Sequence, residues 1–131
     1  MRWLFDDGST SDRAYASVVL EEMLTGEALV SAVWPFEVAN VIARSEAQNM
    51  LDRQRSSSFL KFIHGAGVIV DESSTSNALT DTLTLSRHHR LSAYDASYLE
   101  LALRIHAPLA TLDQKLVKAA KKAGAKIFGR P

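Results

Sequence analysis

The residues best suited to chemistry are three carboxylates from distant parts of the chain: Glu37, Asp95 and Asp113. Glu37 follows an apolar run that ends at Val33 and falls in the first turn of the helix that Pro35 begins. Asp95 heads a later helix, and Asp113 directly follows the apolar run Leu109 to Leu112. In open α/β sheets ligands bind outside the carboxyl ends of the strands, so the three acids are expected to converge on one sheet edge. Such a cluster repels itself unless a divalent cation binds it. Oxygen ligands without cysteine and without an evident histidine partner favour Mg²⁺ or Mn²⁺ over zinc. Taken singly, each acid has a plainer reading, because the helix dipole favours acidic side chains in any first turn.

The elements that must position these acids alternate between helix and strand. A helix starts at Ser11 or Asp12, shows Val18, Val19, Met23 and Leu24 as its apolar stripe, and closes at Gly26. Ala28 to Val33 reads as a strand buried on both faces of a parallel sheet. The helix after Pro35 carries Val38, Val41 and Ile42 inward and runs to about Met50. Asp52 caps the next helix, with Phe59, Leu60 and Ile63 inward, and Gly65-Ala66-Gly67 breaks it. Val68 to Val70 is a second strand. A helix through Leu79, Leu83 and Leu85 follows and ends at the basic cluster Arg87-His88-His89-Arg90. The helix at Asp95 is striped by Tyr98, Leu99, Ala102 and Leu103; the strand Leu109 to Leu112 leads to a last helix, which Gly124 ends. Ala125 to Phe128 completes the series as an edge strand. This order predicts an α/β three-layer sandwich around a parallel sheet.

Bulk properties narrow the class. The 131 residues amount to one domain, 1–131, with 47% hydrophobic and 23% charged residues, as in ordinary globular proteins. The absence of cysteine removes disulfides and thiolate metal sites. No run has the length of a membrane span or the pattern of a signal peptide, so a cytoplasmic protein is expected. Net charge is zero, but residues 1–52 hold three basic and nine acidic side chains and residues 53–131 twelve basic and six acidic. That division permits a basic groove without requiring one. His64, His88, His89 and His106 read as solvated, and adjacent histidines on a helix make a poor metal pair.

Three stretches carry a resemblance. Glu37-Val38-Ala39-Asn40-Val41-Ile42-Ala43-Arg44, Leu91-Ser92-Ala93-Tyr94-Asp95-Ala96-Ser97-Tyr98-Leu99-Glu100-Leu101-Ala102 and Leu109-Ala110-Thr111-Leu112-Asp113-Gln114-Lys115-Leu116 closely resemble the conserved blocks of VapC-type PIN domains. The Tyr94-to-Tyr98 block is the most specific, and Ala119 to Ile127 is similar to the family's last helix and strand. The resemblance implies a metal-dependent ribonuclease, the toxin of a toxin–antitoxin pair, with Glu37, Asp95 and Asp113 as catalytic and metal-binding acids. One or two Mg²⁺ (or Mn²⁺) ions would activate water for in-line attack on phosphorus. It also implies a cognate antitoxin protein as partner and a homodimer. An arginine of the antitoxin could take the metal position. Thr111 is either a hydrogen-bonding member of the site or a packed strand residue. Asn40 either orients Glu37 or is solvated.

Members of this family normally open with a strand bearing an aspartate, followed by a helical turn like Trp3-Leu4-Phe5. Met1 stands where that turn begins, so the resemblance implies that the family's central first strand and one metal-binding aspartate are missing. A start assigned too far downstream and a shortened descendant both account for it. The alternative function is then a catalytically impaired PIN module that binds antitoxin without cleaving RNA. Two further readings are weaker. A response-regulator receiver with Asp71 as phosphoacceptor conflicts with the two helices expected between the strands at Val33 and Val68. A phosphatase loop at Asp6-Asp7-Gly8-Ser9-Thr10 lacks its preceding strand.

Overall fold

The computed structural model describes residues 9–129; the turn expected at Trp3 to Phe5 and the loop aspartates Asp6 and Asp7 lie outside them. The chain is mostly helical with a small parallel sheet, an α/β arrangement of the PIN type. It divides into two compact units, one of Met1–Leu29 with Val33–Val70 and one of Val30–Ala32 with Asp71–Pro131.

In the first unit, α1 (Thr10–Thr25) is capped by Ser9, whose side chain accepts from the Asp12 N–H. Its buried residues are Ala16 and Met23, two turns apart on one face. Val18 and Leu24, expected in the stripe, point away from that face and are exposed. The helix ends at Gly26, where the chain turns into β1 (Ala28–Ser31). Helix α2 (Trp34–Ala47) has Pro35 in its first turn, as expected, and buries Val38, Ile42 and Ser45. Helix α3 (Arg53–Gly65) is capped by Asp52, which accepts from the Arg55 N–H at 2.8 Å. Val38, Ile42, Leu51 and Phe59 form this unit's core, with Trp34, Phe62 and Ile63 packed on it. Gly67 is needed at the approach to β2 (Val68–Asp71), since a Cβ there would collide with the Gly26 carbonyl oxygen.

The two named strands pair with each other; β1 is shorter than the apolar run Ala28 to Val33 suggested, and β2 runs one residue beyond the expected Val68 to Val70. Leu29, Ile69 and Val70 remain exposed, so the expectation of strands buried on both faces does not hold among the described residues. The runs Leu109 to Leu112 and Ala125 to Phe128 contribute a single parallel bridge, Leu109 with Ile127, rather than two strands. Leu109 donates to the Lys126 carbonyl and accepts from the Phe128 N–H. Neither run gains a further ladder partner among the described residues, and a strand without a ladder is only extended backbone.

In the second unit, the helix expected after Ser73 is three pieces: α4 (Ser73–Ser76), a π-helical turn (Ala78–Thr82) and α5 (Leu83–His89). Ser73-Ser74-Thr75-Ser76-Asn77 is rich in side chains that compete for backbone hydrogen bonds. The Asn77 carbonyl accepts from both Thr80 N–H and Thr82 N–H, which widens the turn. Helix α6 (Ala93–Ile105) packs against α5, the π turn and α7 (Gln114–Ala123). Leu91, Ala96, Leu99, Ala102, Leu109, Leu116, Val117 and Ala120 lead the core between them. Gly124, at φ 84°, takes the left-handed conformation that ends α7.

Candidate active site

Two of the three acids are placed by helix starts in the second unit. Ser92 caps α6 by accepting the Asp95 N–H at 3.1 Å, so the cap begins three residues before the acid. The Asp95 carboxylate is half-buried in the first turn, and no side chain or backbone group among the described residues pairs with it. Two residues further along α6, Ser97 Oγ lies 2.7 Å from Ser31 Oγ in a buried hydroxyl pair. Ser97 Oγ donates to the Tyr94 carbonyl at 2.6 Å. A hydroxyl has one proton to give, so Ser31 must be the donor to Ser97. The end of β1 is thereby tied to the turn that carries Asp95.

Asp113 is itself the cap of α7: its Oδ1 accepts from the Leu116 N–H at 2.7 Å. Its own N–H donates to Thr111 Oγ1 at 3.1 Å, so Thr111 shapes the turn that presents the acid. The Asp113 side chain is exposed, and its Oδ2 has no partner among the described residues. Glu37 belongs to the other unit. It is half-buried in the first turn of α2, and its N–H donates to the Val33 carbonyl at 3.1 Å. Asn40, one turn on, is exposed.

Among the described residues, no group of three or more Asp, Glu or His side chains could hold a metal ion. Mg²⁺ does not demand such a cage, since it keeps several waters and takes one or two carboxylates together with substrate phosphates. Asp95 and Asp113 are hard oxygen donors with free lone pairs, and that donor chemistry fits Mg²⁺ or Mn²⁺.

A second acidic constellation was not expected from sequence. Asp71, at the end of β2, and Glu100, on α6, share Arg104. Arg104 Nη2 donates to Asp71 Oδ2 at 2.5 Å, and Arg104 Nε to Glu100 Oε1 at 2.7 Å. Asn77 Nδ2 completes Glu100 at 3.0 Å, and Ser74 Oγ completes Asp71 at 2.6 Å. Burial pushes the Asp71 carboxyl up, but hydrogen bonds from Arg104 and Ser74 outweigh it and hold the carboxyl below its ordinary value. The hydrogen bond to Glu100 and then that to Asp71 raise the Arg104 guanidinium above its own. The sequence signal was the Glu100–Arg104 spacing of four on one helix. A phosphoacceptor must be open to its donor, whereas Asp71 is closed by Arg104 and Ser74, so the receiver reading fails. His88 and His89 meet edge to face, with ring centroids 4.8 Å apart.

The family model described as PIN domain matches residues 2–122 of the chain. No curated protein matches it.

Proposed function

The chain belongs to the PIN domain family, whose members are generally nucleases, and from that membership we propose that it is a Mg²⁺- or Mn²⁺-dependent ribonuclease acting as the toxin of a toxin–antitoxin pair. The observation that carries the reading is Asp95: a half-buried carboxylate with no partner among the described residues, at the head of a helix whose other carboxylate, Glu100, is buried and paired. A carboxylate left open in this way is available to a ligand.

Asp95 and Asp113 are the acids that would hold the ion, with Glu37 as the third on the strength of its sequence block. Bound there, a divalent ion supplies a water of lowered pKa and neutralises charge on the phosphate. The protein's part is to fix these carboxylates in place. Ser92 and Ser97 hold the turn that carries Asp95, and Thr111 with the α7 cap holds Asp113 in one orientation. A small antitoxin would cover the acids, with an arginine paired to them in place of the metal, and the chain would work as a homodimer.

Incubating the protein with a labelled RNA in Mg²⁺, in Mn²⁺ and in EDTA tests the reading. Cleavage is expected with either metal, none in EDTA, and none after Asp95→Asn with the fold retained. Cleavage that survives both EDTA and Asp95→Asn would end the metal-nuclease reading. Metal and antitoxin binding without any cleavage would make the chain a binding module instead.

A further inference from the structure

Helix α7 buries Leu116, Val117, Ala119 and Ala120 and exposes Lys115, Lys118, Lys121 and Lys122. At about 100° per residue, Lys115, Lys118 and Lys122 fall within about 60° of one another, with Lys121 flanking them, along about 10 Å of helix. Exposed Lys126 follows just beyond the helix. No acidic residue interrupts α7, and none of these lysines forms an ion pair among the described residues. Between Ile105 and Pro131 the sequence has six basic side chains and one acidic, Asp113.

The helix's own electrostatics explain only part of this. Lys121 and Lys122 sit in the last turn, where the dipole favours cations. Lys115 sits in the first turn, at the positive end, and Lys118 and Lys122 are like charges four residues apart, which repel. An ordinary solvated face would intersperse acids. The cap of this same helix is Asp113, a carboxylate that repels a phosphodiester, in a chain whose net charge is zero. Attraction of a polyanion to that acid must therefore be local.

We propose that the lysine stripe of α7 is the track that carries the phosphate backbone of single-stranded RNA to Asp113. The proposal rests on the nuclease reading and adds where the substrate lies. Lysine is a point charge on a flexible stem, so the track grips phosphates without reading bases.

The test is binding of a fluorescent, unstructured RNA oligonucleotide in EDTA, where nothing is cleaved, across a series of salt concentrations. It compares the unchanged chain with Lys115→Gln/Lys118→Gln/Lys121→Gln/Lys122→Gln. A charge-matched control carries Arg53→Gln/Lys61→Gln/Arg87→Gln/Arg90→Gln. Each lost phosphate contact removes about 0.7 from the slope of log affinity against log salt for a single strand. The stripe variant is expected to lose about 2.8 in slope and on the order of 10²-fold in affinity at 0.1 M salt. The control should lose far less, and the far-ultraviolet spectra of all three should coincide. Equal loss in stripe variant and control, or no loss in the stripe variant, overturns the track and leaves the nuclease reading standing. Loss of binding to a poly-glutamate peptide with RNA affinity intact makes the stripe a protein-docking face and also overturns it. If the unchanged chain binds no RNA at all, the nuclease reading falls too.

Discussion

Helix α6 carries two carboxylates five residues apart that meet opposite fates. Asp95, in the first turn, has no carboxylate partner among the described residues; Glu100, 3% exposed, accepts from Asn77 and twice from Arg104. A buried charge persists only when paired and hydrogen-bonded, and Glu100 meets that condition within the fold. Asp95, only half-buried, is not held to that condition, and under the proposed function its partner is the metal ion. Under the proposed function, the difference separates a structural acid from a functional one on the same helix.

The largest expected effect of breaking this contrast is on activity. Outer-shell partners of metal ligands are worth about 10–100-fold, so Asp95→Asn should lower kcat/KM by about 10²-fold or more. Its melting temperature should stay near that of the unchanged chain. A large loss of stability instead would mean that Asp95 is as structural as Glu100.

Arg104→Ala should show the reverse pattern. It strands Glu100 without its cation, which costs about 3–5 kcal/mol at fully buried pairs. Arg104 keeps 31% of its side chain exposed, so about 2–4 kcal/mol is expected here by urea unfolding. Unfolding indistinguishable from that of the unchanged chain would show that the network contributes nothing.

Acid should weaken the same network. Because the Asp71 carboxyl is held below its ordinary 3.8, the unfolded chain takes up that proton first as pH falls. The stability Asp71 contributes is present above about 3.8 and is lost as pH drops through its lower folded value. Urea unfolding at stepped pH should therefore show the advantage of the unchanged chain over Asp71→Asn shrinking below that point. An advantage that grows on acidification would reverse the assignment.

The smallest effect concerns the hydroxyl pair that ties Ser31 to the turn carrying Asp95. Ser97→Ala leaves the wholly buried Ser31 hydroxyl without its acceptor, at a cost of about 1–3 kcal/mol, whereas Ser31→Ala/Ser97→Ala removes both partners and should be closer to neutral. A double variant as unstable as the sum of the singles would mean that the two hydroxyls do not act as a pair.

Much of the order of elements was legible because it rests on local chemistry. Ser92, Asp52 and Asp113 precede helices they cap, Pro35 opens one, and Gly26 and Gly124 close two. Those are effects of a few neighbouring residues and need no tertiary partner. The candidate acids were visible for the same reason, since Asp95 and Asp113 sit where their own helices begin. Strand extent was not legible. Leu109 to Leu112 is as apolar as a buried strand, yet only Leu109 makes a bridge, because pairing depends on a distant segment that the run itself does not encode. The break at Asn77 was hidden too: Asn77 spends its side chain on Glu100, 23 residues away. Sequence by itself determined the order of the helices, several of their ends and which acids head them. Only the tertiary structure decided which carboxylates are already satisfied, because Arg104 reaches Asp71 across 33 residues while no group among the described residues reaches Asp95.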